Sequence, residues 1–117
     1  MSEIAINYDA KVYKKNPKEA LLRDEVKHNV EILHKKLKFP DDLKKDIITK
    51  AIKVRKIIKN ESSAYKKPGN LAAIVAYVRM NQHGINISIN NMAEAARINP
   101  HVIRGFMLQM KNFIKLK

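Results

Sequence analysis

The 117-residue sequence contains no cysteine, no tryptophan and only three glycines. Without cysteine, disulfides and thiolate zinc ribbons or fingers are excluded. No glycine-rich phosphate loop is present. Aromatic residues make up 6% of the chain, which offers little surface for stacking single-stranded bases, so a general coating protein for RNA or single-stranded DNA is disfavoured.

Long apolar runs are also missing. Residues 1–13 lack the apolar run of a signal peptide, and no stretch approaches the roughly 18 apolar residues that span a bilayer. The hydrophobic fraction of 45% is nevertheless typical of a folded protein. We therefore expect a soluble intracellular protein (cytoplasm, nucleoid or nucleus), with a polar lead-in over residues 1–16 and one domain over residues 17–117.

Acidic residues are scarce in the second half of the chain. The whole sequence has 24 Lys and Arg against 11 Asp and Glu, for a formal charge of +13. From Ser62 onward, eight basic residues face a single acid, Glu94. Such a balance favours a polyanionic partner, normally nucleic acid. The alternative is a lysine-rich surface that serves only solubility or thermal stability.

Apolar residues recur at helical spacing along most of the chain. One stripe predicts a helix over about 18–37, which Phe39-Pro40 ends. A second stripe follows Asp41 and Asp42, acids that suit a helix start, and runs to about Asn60. The segment 61–70 predicts a connector. The residues of the two stripes are Leu22, Val26, Val30, Leu33 and Leu37, then Leu43, Ile47, Ala51, Val54 and Ile58.

The stretch LAAIVAYVRM at 71–80 is apolar almost all round, which indicates a helix buried on most sides. We expect this helix, at about 68–82, to be the centre of an all-α bundle of five helices, with Gly84 as its left-handed cap. Residues 85–89 alternate like a short strand, but we prefer a loop that leads into the next helix, with Ser88 as the N-cap of that helix.

Ser88 to Phe106 has the pattern of a helix-turn-helix: a short helix ending near Ala96, then a turn, then a helix opened by Asn99-Pro100. In that motif the start of the second helix enters the major groove. Its exposed first residues would be His101, Arg104 and Gly105, and arginine is the commonest reader of guanine. An ordinary helical hairpin with one exposed arginine fits the pattern equally well.

Three stretches resemble the cyclin box of the general transcription initiation factor B (TFIIB-like) family, in the family's order and over about residues 18–116. They are LHKKLKFPDDLKKDIITKAIKVRKIIK, KKPGNLAAIVAYVRMN and SINNMAEAARINPHVIRGFMLQMKNFIKL. The second resembles the family's central helix and the third its closing segment. The matching positions are Pro68, Ala72, Ala73, Ala76 and Tyr77, and then Met92, Ala93, Ile98, Val102, Ile103 and Arg104.

The resemblance implies a five-helix cyclin-like fold and promoter recognition, with duplex DNA as partner and the TATA-binding protein or RNA polymerase as further partners. His101 and Arg104 would read bases. Lys66, Lys67, Arg97 and Lys111 are candidate phosphate contacts, although Lys66 and Lys67 suit a solvated loop equally well.

The sequence also departs from the family, which has two cyclin repeats, a zinc ribbon and often a glycine where this chain has Arg97. An accessory regulator or competitor in transcription initiation therefore fits better than a complete general factor. The alternative function is a cyclin-box adaptor that docks on another protein without reading DNA.

Enzymatic chemistry is not indicated. The four histidines, His28, His34, His83 and His101, lack the spacing of a metal site. No nucleophile–base arrangement is visible. We expect no catalytic residues, no metal and no cofactor.

Overall fold

The computed structural model describes residues 17–58 and 63–110. Within these ranges the protein is an all-α bundle with no strand. Its six helices are α1 (Pro17–Leu37), α2 (Asp41–Ile57), α3 (Ser63–Lys66), α4 (Pro68–Gln82), α5 (Ile89–Ala96) and α6 (Pro100–Met110). No helix in the described part of the chain is both long enough and apolar enough to cross a membrane.

Local signals in the sequence set the helix ends. Asp41 and Asp42 lie in the first turn of α2, where their negative charges interact favourably with the positive end of the helix dipole. At the end of α4, Gly84 takes a left-handed φ of 80°. The Gly84 N–H bonds the Asn81 carbonyl, and the Ile85 N–H bonds the Met80 carbonyl at 2.9 Å. This is a Schellman cap, and it confirms the predicted role of Gly84.

The α4 helix is the centre of the bundle, as its composition predicts. It packs against each of the other five helices. Six consecutive residues, 71–76, are buried, and the three alanines among them let neighbouring helices come close. The surrounding core comes from the predicted stripes of α1 and α2. Its members there are Val26, Val30, Leu33, Leu43, Ile47, Ala51, Val54 and Ile58.

Two details differ from the sequence expectations. The described residues form six helices instead of the predicted five, because Ser63–Lys66 forms one helical turn inside the expected connector. The α2 helix ends at Ile57, slightly before the predicted end near residue 60. The predicted lead-in at 1–16 and the end of the last predicted helix, beyond residue 110, lie outside the described residues.

One arginine is part of the interior. Arg79, on α4, is only 9% exposed. Its Nε donates to Asp46 Oδ2 at 2.5 Å and its Nη1 donates to Gln82 Oε1 at 2.6 Å. A buried cation needs such partners, because burial removes it from water. The Arg79–Asp46 pair also links α4 to α2.

Candidate nucleic-acid interface

The α5 helix begins with a side-chain cap. Ser88 Oγ accepts a hydrogen bond from the Asn91 N–H at 3.0 Å, which confirms the predicted cap. Met92 and Ala93 are buried, so this eight-residue helix has one face on the core. Its outer face carries Asn90, Asn91 and Glu94, all exposed.

A turn of three residues, 97–99, joins α5 to α6. Arg97 adopts a left-handed conformation with φ 58° and ψ 46°, and the Ile98 N–H bonds the Ala93 carbonyl at 3.0 Å. A non-glycine residue pays about 1 kcal/mol for this backbone. Arg97 thus takes the conformation that glycine usually supplies at a helix end, and its side chain is exposed.

The start of α6 is capped by Asn99, as predicted. Asn99 Oδ1 accepts a hydrogen bond from the His101 N–H at 2.8 Å, and Pro100 occupies the first helical position. Ile103 and Phe106 are buried, whereas His101 and Arg104 are exposed. Since those two lie three residues apart, they share one face of the helix.

The α3 helix holds the inner face of α6. The rings of Tyr65 and Phe106 meet edge to face, with centroids 5.4 Å apart, and Tyr65 Oη lies 3.2 Å from Gln109 Oε1, to which it donates. Burial raises the pKa of the Tyr65 phenol above its ordinary value. Gly105, predicted to be an exposed first-turn residue, is half-buried. A Cβ on Gly105 would lie 2.9 Å from Tyr65 Oη. The prediction that Gly105 is exposed was therefore wrong, because Tyr65 packs close to it.

Arg104 is held by a neighbour that sequence reasoning missed. Its Nη2 donates to Asn90 Oδ1, on α5, at 3.2 Å. Because Asn90 is neutral, it constrains the guanidinium without offsetting its positive charge. The helical spacing of α5 could have placed Asn90 on the outer face, but only the angle between the two helices brings it to Arg104.

Lys36, on α1, was also missed. Its Nζ donates to the Ala95 carbonyl at 2.8 Å, at the end of α5 where helix carbonyls lack partners. Lys36 and Arg97 line one groove, together with Gly69 in the first turn of α4. Lys36 therefore adds a cation beside the turn.

The other predicted phosphate contacts are less closely grouped. Lys66 is half-buried at the end of α3, and Lys67 is exposed immediately before α4. The adjacent Tyr65 contacts Phe106 and Gln109, in the later half of α6. The structure therefore places Arg97, His101 and Arg104 on one helical pair, and the two lysines to its side. Lys111 lies outside the described residues.

Two of the other three histidines have local structural contacts, and His28 is exposed on α1. His34 Nε2 lies 3.0 Å from Asp41 Oδ1, which links α1 to α2, and His83 Nδ1 lies 2.9 Å from the Arg79 carbonyl. Within residues 17–58 and 63–110, no group of three or more His, Asp or Glu side chains could hold a metal ion.

No family model, curated protein or solved structure matches this chain. The site is therefore an α5–α6 unit (Ile89–Met110) with a capped α5, a short turn and an exposed basic face at the start of α6. Such a unit can place a guanidinium against a base edge or a phosphate.

Proposed function

We propose that the chain binds duplex DNA through the α5–α6 unit and acts as an accessory regulator or competitor in transcription initiation. One observation carries the proposal. The exposed face at the start of α6 presents Arg104 and His101 beside Arg97, in a half of the chain whose single carboxylate is Glu94. Few groups there would repel a phosphate backbone.

Each residue has a proposed role. The start of α6 enters the major groove, where Arg104 reads a guanine and His101 contacts a neighbouring base. Asn90 limits the rotation of the Arg104 guanidinium, which lowers the entropy lost on binding. Arg97 contacts a phosphate, and Lys66, Lys67 and Lys111 add further phosphate contacts.

The link to transcription rests on the resemblance to factor B. That resemblance implies a cyclin-like bundle around a central alanine-rich helix and a closing helix-turn-helix. The central position of α4 and the three-residue turn before α6 are compatible with it. The TATA-binding protein and RNA polymerase are the further partners that this resemblance implies.

The decisive experiment is selection of bound duplexes from a random pool, with and without the TATA-binding protein. Arg104→Ala should then reduce discrimination between the selected duplex and its single-base variants by about 1–3 kcal/mol. Arg23→Ala is the matched control, since it removes another exposed arginine, on α1, and should leave discrimination unchanged. Unaltered base preference in Arg104→Ala would refute the reading role.

A protein-docking adaptor is the second candidate, and one observation favours it. Leu108 is 79% exposed and follows Arg104 by four residues, so an apolar side chain continues the same helix face. An adaptor would bind polymerase or the TATA-binding protein after nuclease treatment, would lose that binding in Leu108→Asp, and would shift no duplex at moderate salt.

A further inference from the structure

A groove of about 360 Å³ lies beside the α5–α6 unit, between α1, the first turn of α4 and the end of α5. Three helices therefore form its walls. Its lining residues are Asn29, Ile32, Leu33, Lys36, Gly69, Ala95, Ala96 and Arg97.

The lining is cationic. Lys36 and Arg97 contribute positive charge, and none of the lining residues is acidic. The first turn of α4 lies in the same wall, so the positive end of that helix adds to the field. The neighbouring carboxylate, Glu94, lines the adjacent hollow on the other side of Lys36.

Lys36 has a defined position there, although it is exposed. Its bond to the Ala95 carbonyl uses one of the three N–H groups of the ammonium and leaves two for a ligand. An anchored ammonium loses less side-chain entropy on binding than a free lysine. The groove thus has a cation in a fixed place beside a second, exposed one.

We propose that this groove binds a backbone phosphate of the duplex, so that the DNA footprint extends from α6 across the turn onto α1. The inference rests on the proposed function, because Arg97 belongs both to the turn and to the groove. A phosphate strand that leaves the start of α6 passes Arg97 first and meets Lys36 next. The negative charge of the phosphate complements the groove lining, whose charged residues, Lys36 and Arg97, are both positive.

The salt dependence of duplex binding by the full chain tests the groove. Each phosphate that a cation neutralises adds about 0.9 to the slope of log affinity against log salt. Lys36→Ala should therefore lower the steepness of that slope by about one, and Lys36→Arg should keep it. Lys53→Ala is the matched control, since Lys53 is an exposed lysine on α2, and it should leave the slope unchanged. Equal slopes for Lys36→Ala and Lys53→Ala would overturn the groove proposal.

A second measurement locates the phosphate and guards against a disturbed α5. Single methylphosphonate linkages, which carry no charge, are placed along the backbone around the selected site. One position should weaken binding by the wild-type chain but not by Lys36→Ala. If no position shows this coupling, the groove does not bind the backbone. Loss of base preference in Arg104→Ala without any Lys36 coupling would preserve the proposed function and reject the groove alone. Failure of the chain to bind any duplex would reject both.

Discussion

Two arginines on neighbouring helices show how differently two regions of the molecule use charge. Arg79, where α4 meets α2, is 9% exposed and pairs with the carboxylate of Asp46. Arg104, on α6, is exposed, and its described partner is the neutral amide of Asn90. The charge of the first arginine is balanced by a carboxylate inside the fold, whereas the described partner of the second is uncharged, so its charge is accessible to a ligand.

The contrast follows from where the acids lie. Residues 1–60 carry nine acidic residues, and residues 62–117 carry one. The early helices can therefore supply carboxylates to interior cations, as Asp46 does to Arg79, while the α5–α6 unit is held by caps and apolar contacts. Substitutions in each of the two regions test this difference.

The largest effect is expected at Phe106, the apolar anchor of α6. Phe106 is 1% exposed and packs on Tyr65, so Phe106→Ala should reduce the free energy of unfolding by about 3–5 kcal/mol. Urea denaturation measures the loss. Leu108→Ala, on the exposed face of the same helix, should change stability by no more than about 0.5 kcal/mol. Similar losses in both variants would mean that α6 does not depend on its inner face.

The next effect concerns the two arginines themselves. Arg79→Met leaves Asp46 without its cation, and because that carboxylate is 29% exposed we expect a loss of about 2 kcal/mol rather than the full cost of a deeply buried pair. Arg104→Met should remain within about 0.5 kcal/mol of the wild type. Urea denaturation of the two variants measures both losses, and an equal loss would mean that the two arginines contribute equally to the stability of the fold.

The smallest effect on stability is expected for Gly105→Ala, and its sign depends on Tyr65. Gly105→Ala places a Cβ 2.9 Å from Tyr65 Oη, and Tyr65 cannot easily move because it is 6% exposed and packed on Phe106. The variant should be destabilised in the wild-type background. In a Tyr65→Phe background the clash is gone, and the higher helix propensity of alanine should stabilise by up to about 1 kcal/mol. A double-mutant cycle by thermal denaturation shows whether the sign reverses.

The sequence predicted the main helices well because their ends carry strong local signals. Pro68, Gly84, Ser88 and Asn99 each lie at a helix boundary where their backbone or hydrogen-bonding chemistry is favourable. The buried face of α2 also follows from helical spacing alone. The one-turn helix Ser63–Lys66 gave no such signal, since four residues are too few to show a period.

Features that depend on two distant segments could not be predicted. Asp46 and Arg79 are separated by 33 residues, and Lys36 and Ala95 by 59. Gly105 was misplaced for the same reason, because its environment is set by Tyr65 on another helix. At the candidate site, the exposure of His101 and Arg104 was predicted from the pattern of α6, but the support from Asn90 was not.

The central position of α4 has a consequence for any attempt to isolate the basic unit. Each of the other described helices packs against this alanine-rich helix, so a peptide containing only α5 and α6 would lose the surface that fixes the angle between them. Transplanting this surface to another scaffold would have to include α4. Because Ala73 is fully buried, a longer side chain there, as in Ala73→Leu, would have to be accommodated by a core that several helices share.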